Sequence, residues 1–141
     1  MMIAMFGRNS NSVPVVQEVL TSDGWEVRSF DDERSLSSLP SGVPDLILVD
    51  VASHEREESW ELIDRLKRQD RLAHVPIIVA SDHTFDLLNH LERLQEGVAA
   101  VLIRPFSGED VRRALDAVRH YRNLQPGERS VPLTGTTTAS A

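Results

Sequence analysis

Residues 44–50 read Pro44-Asp45-Leu46-Ile47-Leu48-Val49-Asp50. The apolar run Leu46 to Val49 shows no polar alternation. A strand with that pattern is buried on both faces, as in a parallel sheet covered by helices. The run closes on a carboxylate, Asp50. Two more stretches have the same character: Ile77-Ile78-Val79-Ala80, closing on Ser81, and Ala100-Val101-Leu102-Ile103, closing on Arg104. Ile3-Ala4-Met5-Phe6, ended by Gly7, predicts a first strand. Glu26-Val27-Arg28-Ser29-Phe30 alternates strictly and predicts an edge strand with one buried face.

Helical patterns fill the gaps. Ser12 can cap a first helix with Pro14 in its opening turn, Val13, Val16 and Leu20 on one face, and Gly24 near its end. A short second helix spans Arg34 to Leu39 and stops at Pro40. Trp60, Leu62, Ile63 and Leu66 mark a third; Phe85, Leu88, Leu91 and Leu94 a fourth, with Gly97 as its C′ residue. Ser107 opens a fifth with Asp110 three residues on, a capping box with Asp in place of Glu, and Val111, Leu115 and Val118 on its inner face. This alternation predicts an α/β fold: a doubly wound, five-stranded parallel sheet with helices on both faces. Residues 1–122 form that domain. Residues 123–141 lose apolar periodicity and are expected to be a disordered tail or linker.

The chain has 141 residues, 40% hydrophobic and 26% charged, which suits one globular domain. It has no cysteine, so disulfide frameworks and thiolate metal sites are excluded. No apolar run is long enough to span a bilayer. The apolar N-terminus has no basic leader and is read as a strand, so the expected location is the cytoplasm. A net charge of −7 argues against direct binding of nucleic acid.

Ligands of open parallel sheets bind beyond the carboxyl ends of the strands. There the sequence places an acid (Asp50), a hydroxyl (Ser81) and a fixed cation (Arg104), a set suited to forming and holding an acyl phosphate. Of the histidines, His83 and His90 lie seven apart on the fourth helix, not at ligand spacing. The histidines are read as surface residues.

"PDLILVD" (44–50), "VPIIVAS" (75–81), "VLIRPF" (101–106) and the preceding "EGVAAVL" (96–102) resemble the receiver domains of bacterial response regulators, with matching spacing over residues 1–122. The resemblance implies a flavodoxin-like fold and a signalling role in a two-component phosphorelay, not an enzyme. It implies Asp50 as phosphoacceptor, Ser81 as the hydroxyl that follows the phosphoryl group, and Arg104 in the place of a lysine. Its partners would be a histidine kinase or another signalling protein. The face built by the fourth helix, fifth strand and fifth helix is a candidate homodimer surface.

The departures from that pattern are chemical. The family carries two adjacent carboxylates after the first strand, and these hold Mg²⁺; here the positions read Gly7-Arg8, followed by Asn9. A hard divalent cation would find only Asp50 and the Asn9 amide, so Mg²⁺ binding is expected to be weak or absent. Arg8 is expected to take the metal's place and pair with Asp50. Arg104 changes the reach of the conserved-type cation, Asp82 adds a negative charge after the hydroxyl, and Val101 replaces the switch aromatic. Such replacements resemble the degenerate pseudo-receivers. The leading reading is therefore a receiver-like module acting by protein contact, with phosphorylation weak or lost. The alternatives are a working phospho-receiver using Asp50, and a binder of small phosphate ligands using the Gly7–Ser12 loop.

Overall fold

Every residue of the central strand Leu46–Val51 is buried, because that strand has sheet on both sides and helices on both faces. The structure, a computed structural model, describes residues 2–6, 13–30, 33–38, 43–51, 56–81, 98–104, 106–123 and 133–135. In chain order these form β1 (Met2–Phe6), α1 (Val13–Ser22), β2 (Glu26–Phe30), a 3-10 turn (Glu33–Ser38), β3 (Leu46–Val51), α2 (Arg56–Arg68), a second 3-10 turn (Asp70–Leu72), β4 (Ile77–Ser81), β5 (Val98–Ile103), α3 (Gly108–Asn123) and β6 (Leu133–Gly135). The sheet order is β2-β1-β3-β4-β5-β6, and every pairing is parallel.

Strand alternation sorts the apolar residues into two cores. Ala4, Phe6, Ile47, Val49, Ile77, Val79, Val101 and Ile103 pack against Trp60, Ile63 and Leu66 of α2. Ile3, Met5, Leu46, Leu48, Ile78, Ala80, Ala100 and Leu102 face Val16, Val19 and Leu20 of α1 and Val111, Leu115 and Val118 of α3. Helices thus cover both faces, and the doubly wound arrangement follows from which residues of each strand are odd or even. The fourth predicted helix and Gly97 lie outside the described residues.

Helix ends follow local chemistry. After α1 the Trp25 N–H donates to the Leu20 carbonyl at 2.9 Å and the Gly24 N–H to Thr21 at 3.1 Å. This is a Schellman cap, and Gly24 supplies its left-handed residue at φ 87°. At the start of α3 the Asp110 N–H donates to Ser107 Oγ at 3.3 Å, while the Ser107 N–H donates to the Asp110 carboxylate at 2.9 Å. The reciprocal box read from Ser107 and Asp110 therefore forms as expected.

Three expectations need correction. β2 was expected to bury one face; instead Val27 packs on the α1–α3 core and Phe30 on the α2 core, with the Phe6 and Phe30 ring centroids 6.0 Å apart. In a sheet covered on both sides, even an edge strand meets two cores. The second helix is a 3-10 turn over Glu33–Ser38, since a serine-rich hexapeptide has too few residues to propagate an α-helix. Within residues 123–141, expected to be a disordered tail or linker, Leu133–Gly135 contributes β6, a sixth strand on the edge of β5. Three residues are too few to show a strand period, and their pairing is supplied by the β5 backbone.

Candidate functional site

The order β2-β1-β3 reverses direction at β1, so the crevice beyond the ends of β1 and β3 is the topological switch point. Asp50 stands at that end of β3. Its side chain is 5% exposed, so its carboxylate lies in a region of low dielectric and needs a partner. That partner is Arg104: its Nη2 donates to Asp50 Oδ1, and its side chain is 18% exposed.

Register explains how a residue after β5 reaches one on β3. Asp50 pairs with Ala80 on β4, and Ala80 pairs with Leu102 on β5. Alternation then puts Arg104 on the face of Leu102, which is also the face of Asp50 and Ala80. The two strands flanking β4 lie about 9.6 Å apart, twice the interstrand spacing. An extended arginine covers that span, provided the intervening side chain is small. Ala80, in register between Asp50 and Leu102, is small and buried and so leaves room on that face.

Ser81 is also buried at this rim, and its carbonyl accepts the Arg104 N–H at 2.9 Å. That bond fixes the backbone from which the guanidinium projects. Ser59 Oγ, in the first turn of α2, lies 3.5 Å from the Asp50 carbonyl, at the outer limit of a hydrogen bond. The structure therefore brings Asp50 and Arg104 together on one face of the rim, while Ser81, opposite Val51, stands at the same strand end with its side chain alternating to the other face. Gly7, Arg8 and Asn9 lie outside the described residues, and so do Asp82, His83 and His90. The expectation that Arg8 pairs with Asp50 concerns a residue outside that set; the guanidinium observed on Asp50 belongs to Arg104. The sequence signal for this pairing was the ending of successive buried strands on Asp50 and Arg104.

The described donor set fits Mg²⁺ poorly. The ion requires near-octahedral oxygen ligation, usually including one or two carboxylates. Asp50 already accepts from a guanidinium, and among the described residues no group of three or more His, Asp or Glu is placed to hold a metal. Among the described residues no helix is long and apolar enough to cross a membrane.

No family model matches the sequence. A curated relative, the probable methanogenesis regulatory protein FilR2 of Methanothrix harundinacea, is 29% identical over 89 residues. That match covers 60% of this chain and 56% of the relative, so the chain corresponds to about half of that protein. Among solved structures, the chemotaxis response regulator CheY4 of Vibrio cholerae superposes with TM-score 0.66 at 21% identity, covering 83% of this chain and 97% of that one. A putative response regulator from Chloroflexus aurantiacus gives 0.65 at 17% identity, over 84% and 97% of the two chains. The receiver domain of the sensor histidine kinase PA1611 of Pseudomonas aeruginosa, with a magnesium ion in its active-site cleft, gives 0.60 at 23% identity, over 83% and 95%. Sheet order, the acid ending the central strand and these superpositions agree: the chain has the fold of a response regulator receiver domain.

Proposed function

We propose that this chain is a receiver-like module of two-component signal transduction that works through protein contacts, with phosphorylation at Asp50 weak or lost. The observation that carries this reading is the buried Arg104–Asp50 ion pair. In an acyl-phosphate cycle the Asp50 carboxylate would attack phosphorus and must be free to do so. Here its Oδ1 accepts from a guanidinium. The planar fork of arginine holds a carboxylate in fixed geometry, which a flexible ammonium does not. Gly7, Arg8 and Asn9 add no carboxylate to help bind a divalent cation. Arg104 thus supplies the positive charge that the buried acid needs, without an ion, and holds the rim in one arrangement.

The receiver-like unit is residues 1–122, supported by two cores built between Ile3 and Val118, with Leu133–Gly135 added at its edge. Its partner is a histidine kinase or another signalling protein. The face of the fourth predicted helix, β5 and α3 is the candidate contact surface. On α3 it carries the exposed pairs Arg113–Glu109 and Arg119–Asp116, which contribute little to stability and leave their charges available to a partner.

A second reading, a working phospho-receiver, is favoured by the position of Asp50 at the end of the central strand with Ser81 and Arg104 at the same rim. Incubation with Mg²⁺ and acetyl phosphate or phosphoramidate, followed by intact mass, separates the two. The contact reading expects no phosphoryl adduct on a folded protein, and partner capture that survives Asp50→Asn. An adduct on the parent chain that is absent from Asp50→Asn overturns it in favour of the switch.

A further inference from the structure

β5 is a six-residue strand, Val98-Ala99-Ala100-Val101-Leu102-Ile103, apolar and buried along its whole length. One side of its backbone pairs with β4, and the other would end the sheet if β6 were absent. An edge of that length without charge, proline or glycine is a template for another strand. β6 lies along it in parallel, with Val101 opposite Leu133, Leu102 opposite Thr134 and Ile103 opposite Gly135. The new outer edge is a poor template. It is three residues long, with Pro132 just before it in sequence and Gly135 as its last residue. Short edge strands and prolines are means of stopping further pairing.

The opposite edge of the sheet is protected in another way. β2 carries Glu26 and Arg28, both exposed and paired with each other at 2.9 Å. Charge within the strand itself discourages a newcomer there. β5 carries none, and the cover comes from a segment with no apolar periodicity of its own.

We propose that Leu133–Gly135 is an intramolecular plug on the β5 edge, and that what it keeps out is a second copy of this chain. The occupant follows from the chemistry of the edge. An uncharged apolar strand is complementary to itself, so two β5 edges can meet antiparallel across a two-fold axis. A charged strand from another protein would find no counter-charge there. This inference stands on β5 and β6 alone and is independent of the chemistry at Asp50.

The test uses the full chain with Thr134→Pro, which removes the backbone N–H at the centre of β6. Gly135→Pro serves as a second variant should the first not fold, folding being judged by a cooperative urea transition. Molar mass is followed by light scattering over a concentration series, with amide exchange read at Val101 to Ile103. The parent is expected to be a monomer with those amides protected. The variant is expected to move to twice the monomer mass as concentration rises, and an excess of a synthetic peptide of residues 129–137 should return it to monomer mass. A parent that is already a dimer over the same range overturns the proposal. So does a folded variant that stays monomeric, or a variant dimer that the peptide leaves intact.

Discussion

Replacing Arg104 by methionine removes the cation from a carboxylate that is 5% exposed and leaves an unbranched apolar stem in its place. Breaking a buried pair by deleting one partner costs about 3–5 kcal/mol, because the remaining charge is left in a poorly solvated site. The Arg104 side chain is itself 18% exposed, so water can follow the departing guanidinium. That places the cost at the low end, about 3 kcal/mol, a large part of the 5–15 kcal/mol typical of a domain. The double replacement Asp50→Leu with Arg104→Met removes both charges. Apolar substitutes for a buried pair are often neutral or stabilising, so the double variant should lie within about 1 kcal/mol of the parent, well above Arg104→Met alone. Urea unfolding followed by tryptophan fluorescence suits the measurement, since Trp60 is 2% exposed and sits in the α2 core. The transition midpoint should move with an unchanged slope. An Arg104→Met cost below about 1 kcal/mol, the range of an exposed pair, would refute the buried pairing. Strict additivity of the two single changes would refute it as well.

Other outcomes follow from the same geometry. Ala80→Val adds two methyl groups at a buried position on the face that Asp50 and Arg104 share; it should cost about 1–3 kcal/mol by overpacking and weaken the coupling between Asp50 and Arg104 in a double-mutant cycle. Gly24→Ala meets no atom within 4 Å, so its cost is purely that of the left-handed backbone, about 1 kcal/mol by urea denaturation, and Gly24→Asn should cost less. Ser107→Ala removes the acceptor of the Asp110 N–H and should lower stability by about 1 kcal/mol, with faster amide exchange confined to the first turn of α3.

The parts of this molecule legible in sequence are those whose signal is local or periodic. Leu46 to Val49, Ile77 to Ala80 and Ala100 to Ile103 read as buried strands because nothing in them could face water, and all three lie inside observed strands. Ser107 and Asp110 sit three residues apart, and a cap needs nothing further away. What escaped the sequence depends on register. That Asp50 and Arg104 meet at one rim was legible from the strand ends; that their side chains pair directly, across 54 positions, follows only from the alignment Asp50–Ala80–Leu102, which puts them on one face. Arg8, also expected on Asp50, lies outside the described residues. β6 escaped for the converse reason: its strand character lies in the edge it pairs with, not in Leu133-Thr134-Gly135.

The ion pair and the plug, argued from different residues, meet at one strand end. The residue after β5 is Arg104, whose guanidinium pairs with Asp50. The outer side of the same strand carries β6, whose last residue is opposite Ile103, next in sequence to Arg104. The Arg104 N–H is also tied to the Ser81 carbonyl. The backbone of this strand end is therefore held on both sides, and its position determines whether the guanidinium meets the acid. Loss of the plug should accordingly be felt at Asp50. The coupling energy between Asp50 and Arg104, read by the same double-mutant cycle, should fall in the Thr134→Pro background. An undiminished coupling in a variant whose β5 amides have lost protection would show that the two sides of β5 act independently.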